Sequence, residues 1–396
     1  MARNGKLLSI LMVFMFVIAV MPLMASGQAE AEGEKEISFL TWNLPHYEDA
    51  IRGWMADFED ETGATAVWID RKGSELPTYF QTQLAAGTAP DIVEFQSVIW
   101  YGYAAEGVLY PITDFLDAEP DVMDRYTPSF FEAASFFDGD YYLMPTYVPS
   151  SLLFYNKPIF EEAGLSGPPG SLEELFEYVI AIDDAGYAGF ISLNFDWLYW
   201  PLFRAAGVEI LNDSKTAAAF NVPAARQVLT RLAQLSQSGA IPSVTWTGRW
   251  AEPNGAFGAG GIGMHHGHTP LLRSFMSQSD WATTETVGID LFPGGWSVPN
   301  YHGMGIVSTS ENPDLAWEFL KISTNDEWAE TLVRTLGTLS GNANADAAVL
   351  NDSAFRNENP LLARMFELQL DDRVKLTGVT GSAKDEEIKD AVYRNF

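Results

Sequence analysis

The chain has 396 residues, no cysteine, and 53 Asp and Glu against 23 Lys and Arg, for a formal charge of −30. Without cysteine there can be no disulfide, thiolate metal site, thiol nucleophile or amino-terminal lipid anchor. A charge of that sign repels phosphate backbones and anionic lipid surfaces, so nucleic acid is not an expected partner and a neutral or cationic ligand is favoured.

The first residues, "MARNGKLLSILMVFMFVIAVMPLMASGQA", place Arg3 and Lys6 before an apolar run from Leu7 to Val20 and small residues from Ala25. That is the order of a secretory signal peptide, and the run is short for a membrane span of ~20 residues. A leader of residues 1–27 is expected, and its removal takes the charge to −32, since it holds two bases and no acid. "LMAS" at 23–26 is similar to a bacterial lipobox with Ser26 in place of the lipidated cysteine, so a released, periplasmic protein is expected. At this length two cores are expected, because single cores stop growing near ~250–300 residues.

The strand "EISFLTW" opens the remaining chain, followed by a helix from Pro45 to Thr62 with Ile51, Trp54, Met55 and Phe58 on one face and Gly63 at its end. "TAVWID" is a second strand, a helix ends at Gly87, and "PDIVEF" is a third strand. "SLLFYN" before Pro158, the capping box from Ser171 to Glu174, and the amphipathic segments "NPDLAWEFLKIS" and "NDEWAETLVRTLG" continue the alternation. Strand and helix alternating this way argue α/β layers with a mainly parallel sheet. In "NFDWLYWPLFRAAG", residues 194–207, Pro201 is expected at the first helical position, leaving Trp197, Tyr199 and Trp200 in the entry loop. Residues 245–268, rich in Gly, Trp and His, read mostly as loop and as a natural place for a site.

Catalytic and metal chemistry finds little support. "HHGH", at 265, 266 and 268, lacks the spacing to close on a metal without a further ligand, so one or two of these rings are expected to face a cleft and the third to be structural. "FGAGGIGM" matches neither a dinucleotide fingerprint nor a phosphate-binding loop. No cofactor is expected. Carboxylates such as Glu94, Asp196 and Glu252 leave a secreted glycoside hydrolase as the alternative class.

Five segments together resemble the extracellular solute-binding proteins of bacterial sugar ABC importers, the family 1 group that includes maltose-binding protein. They are "LAAGTAPDIVEF" at 84–95, "GVLYPITDFL" at 107–116, "DGDYYLMPTYVPSSLLFYNKPIFEEAGL" at 138–165, "GAFGAGGIGM" at 255–264 and "GMGIVSTSENPDLAWEFLKIST" at 303–324. The resemblance implies a two-lobe periplasmic binding protein fold with a hinge and a ligand cleft between lobes. The first lobe would be built mainly from residues 28–145 and the second from 146–295, with 296–396 returning and shared. It implies crossings at 144–149 and around 293–303, and closure on a ligand. The implied function is non-enzymatic: a monomer that captures a sugar or oligosaccharide and delivers it to membrane permease subunits. A polyol or a glycerol phosphodiester is the alternative ligand.

Ligands of open α/β sheets sit beyond the carboxyl ends of strands, where Trp42, Asn43, Glu94 and Gln96 fall. In relatives that bind maltose-like sugars the aromatic three residues before a Trp-Pro-Leu stacks on a sugar ring, and that position here is Trp197, with Asp196 beside it. Relatives often carry a stacking Trp after "GIGM", whereas "HHGHTP" stands here. Hydrogen bonding by His266 or His268 is expected instead, with Trp246, Trp250 or Trp296 as the missing wall.

Overall fold

The computed structural model describes residues 35–42, 47–73, 75–96, 99–378, 382 and 384–395. The expected leader, Pro45 and the candidate Asn43 lie outside them. Strand β1 (Glu36–Thr41) leads to helix α1 (Glu48–Thr62), which begins three residues later than the sequence suggests. Its buried Ala50, Ile51, Trp54 and Phe58 recur at helical spacing, and Gly63 closes it at φ 69°, its amide bonding to the Glu59 carbonyl. Strand β2 (Thr65–Asp70), helix α2 (Leu76–Ala86), strand β3 (Ile92–Gln96) and helix α3 (Trp100–Ala105) follow, then strand β4 (Leu143–Tyr147).

The second half opens with strand β5 (Ser151–Asn156) and helix α4 (Leu172–Asp184), whose cap Ser171 accepts from the Glu174 amide at 3.1 Å. Next come strand β6 (Ala188–Ile191) and helices α5 (Asp196–Ala205), α6 (Pro223–Ser238) and α7 (Ala251–Gly258). Strand β7 (Ile262–His268), helix α8 (Leu271–Gln278) and strands β8 (Val287–Asp290) and β9 (His302–Ile306) complete the sheets. Helices α9 (Pro313–Ser323), α10 (Asp326–Leu336), α11 (Pro360–Gln369) and α12 (Asp385–Asn395) end the chain.

The first sheet has the order β2-β1-β3-β9-β4 and the second β8-β5-β7-β6. Both carry apolar side chains on two faces, as sheets covered by helices on both sides must. Phe39 and Met304 belong to the cluster under α1 and α9, whereas Leu40 and Val93 belong to the cluster under α2 and α3. In the second sheet Leu153 and Met264 pack beneath α4 and α5, and Phe154 and Ile289 beneath α8 and α11.

The expected mainly parallel sheets need a correction. β9 runs antiparallel to β3 and β4, and β5 antiparallel to β7 and β8. The reason is topological. Each reversed strand is the one by which the chain enters a sheet from the other, and it enters at the edge where the neighbouring strands end. β4 leads to β5 through Val148, Pro149 and Ser150, and β8 leads back to β9 through residues 291–301.

These two connections run side by side. Asn300 N donates to the Pro149 carbonyl at 2.7 Å, the Ser151 hydroxyl accepts from Val298 N at 2.8 Å, and Ser297 Oγ donates to the Ser151 carbonyl at 2.8 Å. A third segment joins them, with Val148 N donating to the Leu339 carbonyl at 2.7 Å. The carboxyl ends of both sheets therefore face each other across a set of hydrogen-bonded crossings.

Candidate functional site

The edge of the first sheet supplies a packed polar group. His302, first residue of β9, lies opposite Gln96 and Tyr147 in the ladders, and Glu94 is two residues down the same face of β3. The His302 ring stacks on Tyr147 at 4.1 Å and 21° and meets the Trp42 edge at 5.0 Å and 80°. Trp42 Nε1 donates to the Tyr147 hydroxyl at 3.2 Å, and Tyr47, at the start of α1, donates to Glu94 Oε1 at 3.5 Å.

His302 Nδ1 lies 3.7 Å from Glu94 Oε1, which on distance alone would be an ion pair. Burial argues against charge on either group. Glu94 is fully buried, and desolvation lifts its carboxyl well above the ordinary range despite the Tyr47 and Tyr147 hydroxyls that pull it down. The same desolvation pushes His302 down to about 3. Asn300 Nδ2 can only donate, and it meets His302 Nε2 at 3.1 Å, so the ring proton belongs on Nδ1, facing Glu94. A neutral donor thus points at a neutral acid.

The edge of the second sheet is built on β7. The region expected to be mostly loop contains this fully buried central strand, because a neutral histidine packs like an apolar ring and glycine admits close neighbours. His265 points one way into the core, against Phe257 at 5.2 Å, with Nε2 2.9 Å from Asn254 Oδ1. His266 and His268 point the other way, as alternation requires. His266 lies on Phe292 at 4.3 Å, and burial, followed by the neighbouring His265, pushes it down to about 3. His268 is pushed well below its usual value by burial, then by His266 and by His302 of the first sheet, so the two edges are within electrostatic reach.

Helix α5 begins at Asp196, five residues before the position Pro201 suggests, and Pro201 sits inside it. An interior proline cannot donate to the carbonyl four residues back, here Trp197. The aromatics therefore lie on the first turns of a helix. Trp200 is fully buried, whereas Trp197 is only partly covered. One face of Trp197 meets His268 at 3.5 Å between ring centroids, and its edge meets Trp250 at 5.2 Å and 89°. Trp250 is 45% exposed.

The structure thus brings Trp42, Glu94 and His302 together on one edge and Trp197, Trp250, His266 and His268 on the other. Gln96 is exposed and lines a cavity of about 20 Å³ with Trp42 and Glu94, room for about a water molecule. Three candidates are engaged elsewhere. Asp196 pairs with Lys389 of α12 at 3.5 Å. Trp246 donates from Nε1 to Ser236 Oγ on α6 at 2.7 Å and lines a separate concavity of about 540 Å³. Trp296 has Arg204 over its ring at 4.5 Å and Lys375 at 5.5 Å, so cations occupy the faces expected for a ligand.

Residues the sequence reading missed are His302, Tyr147, Asn300 and Tyr47. The signal available was the His in "NYHGMG" next to an expected crossing. Among the described residues no three His, Asp or Glu side chains form a group able to hold a metal ion, and no helix is long and apolar enough to cross a membrane.

Two α/β lobes joined by three crossings, with aromatic and polar groups on facing edges, define a two-lobe binding protein with a ligand cleft. The family model of the bacterial extracellular solute-binding proteins matches residues 45–330, and the chain belongs to that family. Diacetylchitobiose binding protein DasA of Streptomyces coelicolor is 26% identical over 327 residues, 74% of each chain. Among solved structures, an ABC substrate-binding protein from Listeria monocytogenes in complex with cycloalternan has a TM-score of 0.76 at 20% identity, covering 91% of this chain and 92% of its own. Maltose-bound MalE3 of T. maritima has a TM-score of 0.75 at 19% identity, covering 91% and 93%.

Proposed function

We propose that the protein is the exported, periplasmic ligand-capturing component of an ABC importer, that it takes a sugar or oligosaccharide into the cleft, and that it passes it unchanged to membrane permease subunits. In this reading residues 1–27 are a cleaved leader and the mature chain acts as a monomer. The lobes, residues 36–147 with β9–α10 on one side and 151–290 on the other, move as bodies about the crossings.

The observation that carries it is the Trp197–Trp250–His268 group opposite the Glu94–His302 pair. Sugars present an apolar C–H face and a rim of hydroxyls, and the cleft offers a partly covered indole beside buried neutral donors and acceptors. Neutral groups suit an uncharged ligand, since a charge placed among them would be poorly solvated. A phosphodiester is disfavoured, because Arg204 pairs with Glu209 and lies on Trp296, and Arg249 pairs with Glu252. Hydrolysis is disfavoured too, since Asp196 and Glu252 are committed to ion pairs.

The test is calorimetric titration of the purified protein with a panel of mono- and oligosaccharides, polyols and glycerol phosphodiesters, with chromatography of each mixture after incubation. Saturable heat with one sugar class and unchanged sugar afterwards is expected. Steady appearance of shorter sugars overturns the binding reading, and saturation only by phosphodiesters overturns the ligand class.

A further inference from the structure

Helices α8 and α10 are anchored to different sheets. Phe275 of α8 packs edge-on against Phe154 of β5 at 5.8 Å, whereas Leu332 and Leu336 of α10 join the apolar cluster of Trp54 and Phe319 on the first sheet. One side chain passes between the two helices. Arg273, in the first turn of α8, donates from Nη2 to the Arg334 carbonyl in the last turn of α10 at 2.5 Å. That carbonyl is one of the last four of a helix, which lack an intrahelical partner, and a cation there also meets the negative end of the helix dipole. Gly337 closes α10 at φ 69° with its amide on the Val333 carbonyl, so the Arg334 carbonyl is left to an outside donor.

The fit around this contact is close. A Cβ built on Gly337 would stand 3.1 Å from Arg273 Nε and 3.0 Å from the Leu362 side chain. The chain has 53 acids, yet among the described residues none pairs with Arg273, and its Nε is enclosed without an acceptor. The corner before α8 is tied to the crossings as well. Thr269, fully buried, donates from its amide to the Ser150 carbonyl at 3.1 Å and from its hydroxyl to Thr338 Oγ1 at 3.4 Å. Ser150 belongs to the first crossing, Thr338 precedes Leu339 of the third, and His268 of the cleft edge comes just before Thr269. Residues 268–273 therefore run from the cleft edge, past two crossings, to the end of a helix of the other lobe.

We propose that Arg273 is a brace between the lobes, capping α10 of the first lobe from α8 of the second and limiting the range of angles the lobes take about the crossings. The proposal rests on the hinged-lobe reading and is independent of which ligand is bound. Leu271, Leu272 and Phe275 hold α8 in its own apolar cluster without the guanidinium. Its loss should therefore leave both lobes folded and let the angle between them vary more widely.

Because the chain has no cysteine, spin labels can be placed at Asp60→Cys on α1 and Glu177→Cys on α4, exposed residues of opposite lobes. Pulsed dipolar spectroscopy of the protein without ligand then reads the interlobe distance. The distribution should broaden in Arg273→Met, which keeps an apolar stem and loses the donors, and in Arg273→Gln, whose amide is too short to reach the carbonyl. Pro149→Gly, which frees the backbone of the first crossing, reports whether the lobes move at all. The parent distribution in both Arg273 variants beside a broadened one in Pro149→Gly overturns the brace alone. The parent distribution in all three overturns the hinged-lobe reading along with it. Loss of the fold in both Arg273 variants, seen by circular dichroism, also overturns the proposal, because a brace is dispensable to the core of each lobe.

Discussion

Two tryptophans three residues apart serve different ends. Trp200 is fully enclosed by the core of the second lobe, and Trp200→Ala should cost about 3–5 kcal/mol of stability. Trp197 stands partly open on the cleft edge, one face on His268. In the proposed site its truncation to Ala should cost roughly 2 kcal/mol of binding, about 30-fold in dissociation constant, with a smaller loss in melting temperature than Trp200→Ala. Titration with the sugar selected by the panel, beside melting curves of both variants, makes the comparison. Near-native affinity with a much lower melting temperature in Trp197→Ala would make that ring part of the core.

The buried histidines predict how stability follows pH. His265, His266 and His302 are held at about 3 in the native state, chiefly by burial, and His268 is also held low. A basic group held down is protonated first in the unfolded chain, so stability is full above about 6.5 and declines as pH falls toward 3. Glu94 works in the opposite sense. Its raised native carboxyl takes up a proton before the unfolded one does, so it gains stability as pH falls toward the ordinary carboxylate value. Glu94→Gln removes that counterweight. Urea melts of the variant should therefore lose stability more steeply than wild type between pH 6.5 and 4.5, and parallel slopes would refute the assignment.

At the scale of elements, α1 and α10 meet through a glycine. A Cβ built on Gly53 would come within 1.9 Å of the Trp328 ring, whose Nε1 is tied to Asp57 at 2.7 Å. Alanine is the better helix former by about 1 kcal/mol, but overpacking costs about 1–3 kcal/mol. Gly53→Ala should therefore lower the melting temperature, and an increase would mean that Trp328 moves aside easily. Most elements were legible because their signals are local: the alternation of "EISFLT", the spacing of Ile51, Trp54 and Phe58, the cap at Ser171. What misled was local as well. Pro201 reads as a helix start, yet the first turn forms ahead of it, and HHGH reads as loop because sequence polarity does not reveal that burial keeps those rings neutral. The candidate site was half legible. Trp42, Trp197 and His268 lie at strand or helix ends, whereas Glu94 sits in the middle of β3 and not at its carboxyl end, and the pairs Glu94–His302 and Asp196–Lys389 join residues about 200 apart, where no periodicity reaches.

For the whole molecule, the reversed strands β5 and β9 and the crossings beside them say how the lobes can move. The segments 148–151, 297–300 and Leu339 hydrogen-bond to one another and not only to their own sheets, so they form a continuous ribbon between the two sheets, and Val148, Tyr301 and Leu339 also join an apolar cluster that runs from Ala134 and Val333 to Phe154 and Phe275. In the proposed reading each lobe should keep its helices on both sheet faces and the change of backbone angle should fall on the ribbon, which is how hinged domains close on ligands. A ligand that touches both edges adds contacts only in the closed form and so shifts the population toward it. Small-angle scattering without and with a saturating amount of the sugar that binds should show a smaller radius of gyration in the complex. Trp197→Ala at the same fractional saturation should still contract, because the hinge is intact and only the affinity has fallen. A radius unchanged by a sugar whose binding calorimetry has measured would mean that the cleft is a rigid pocket and the ribbon a structural tie.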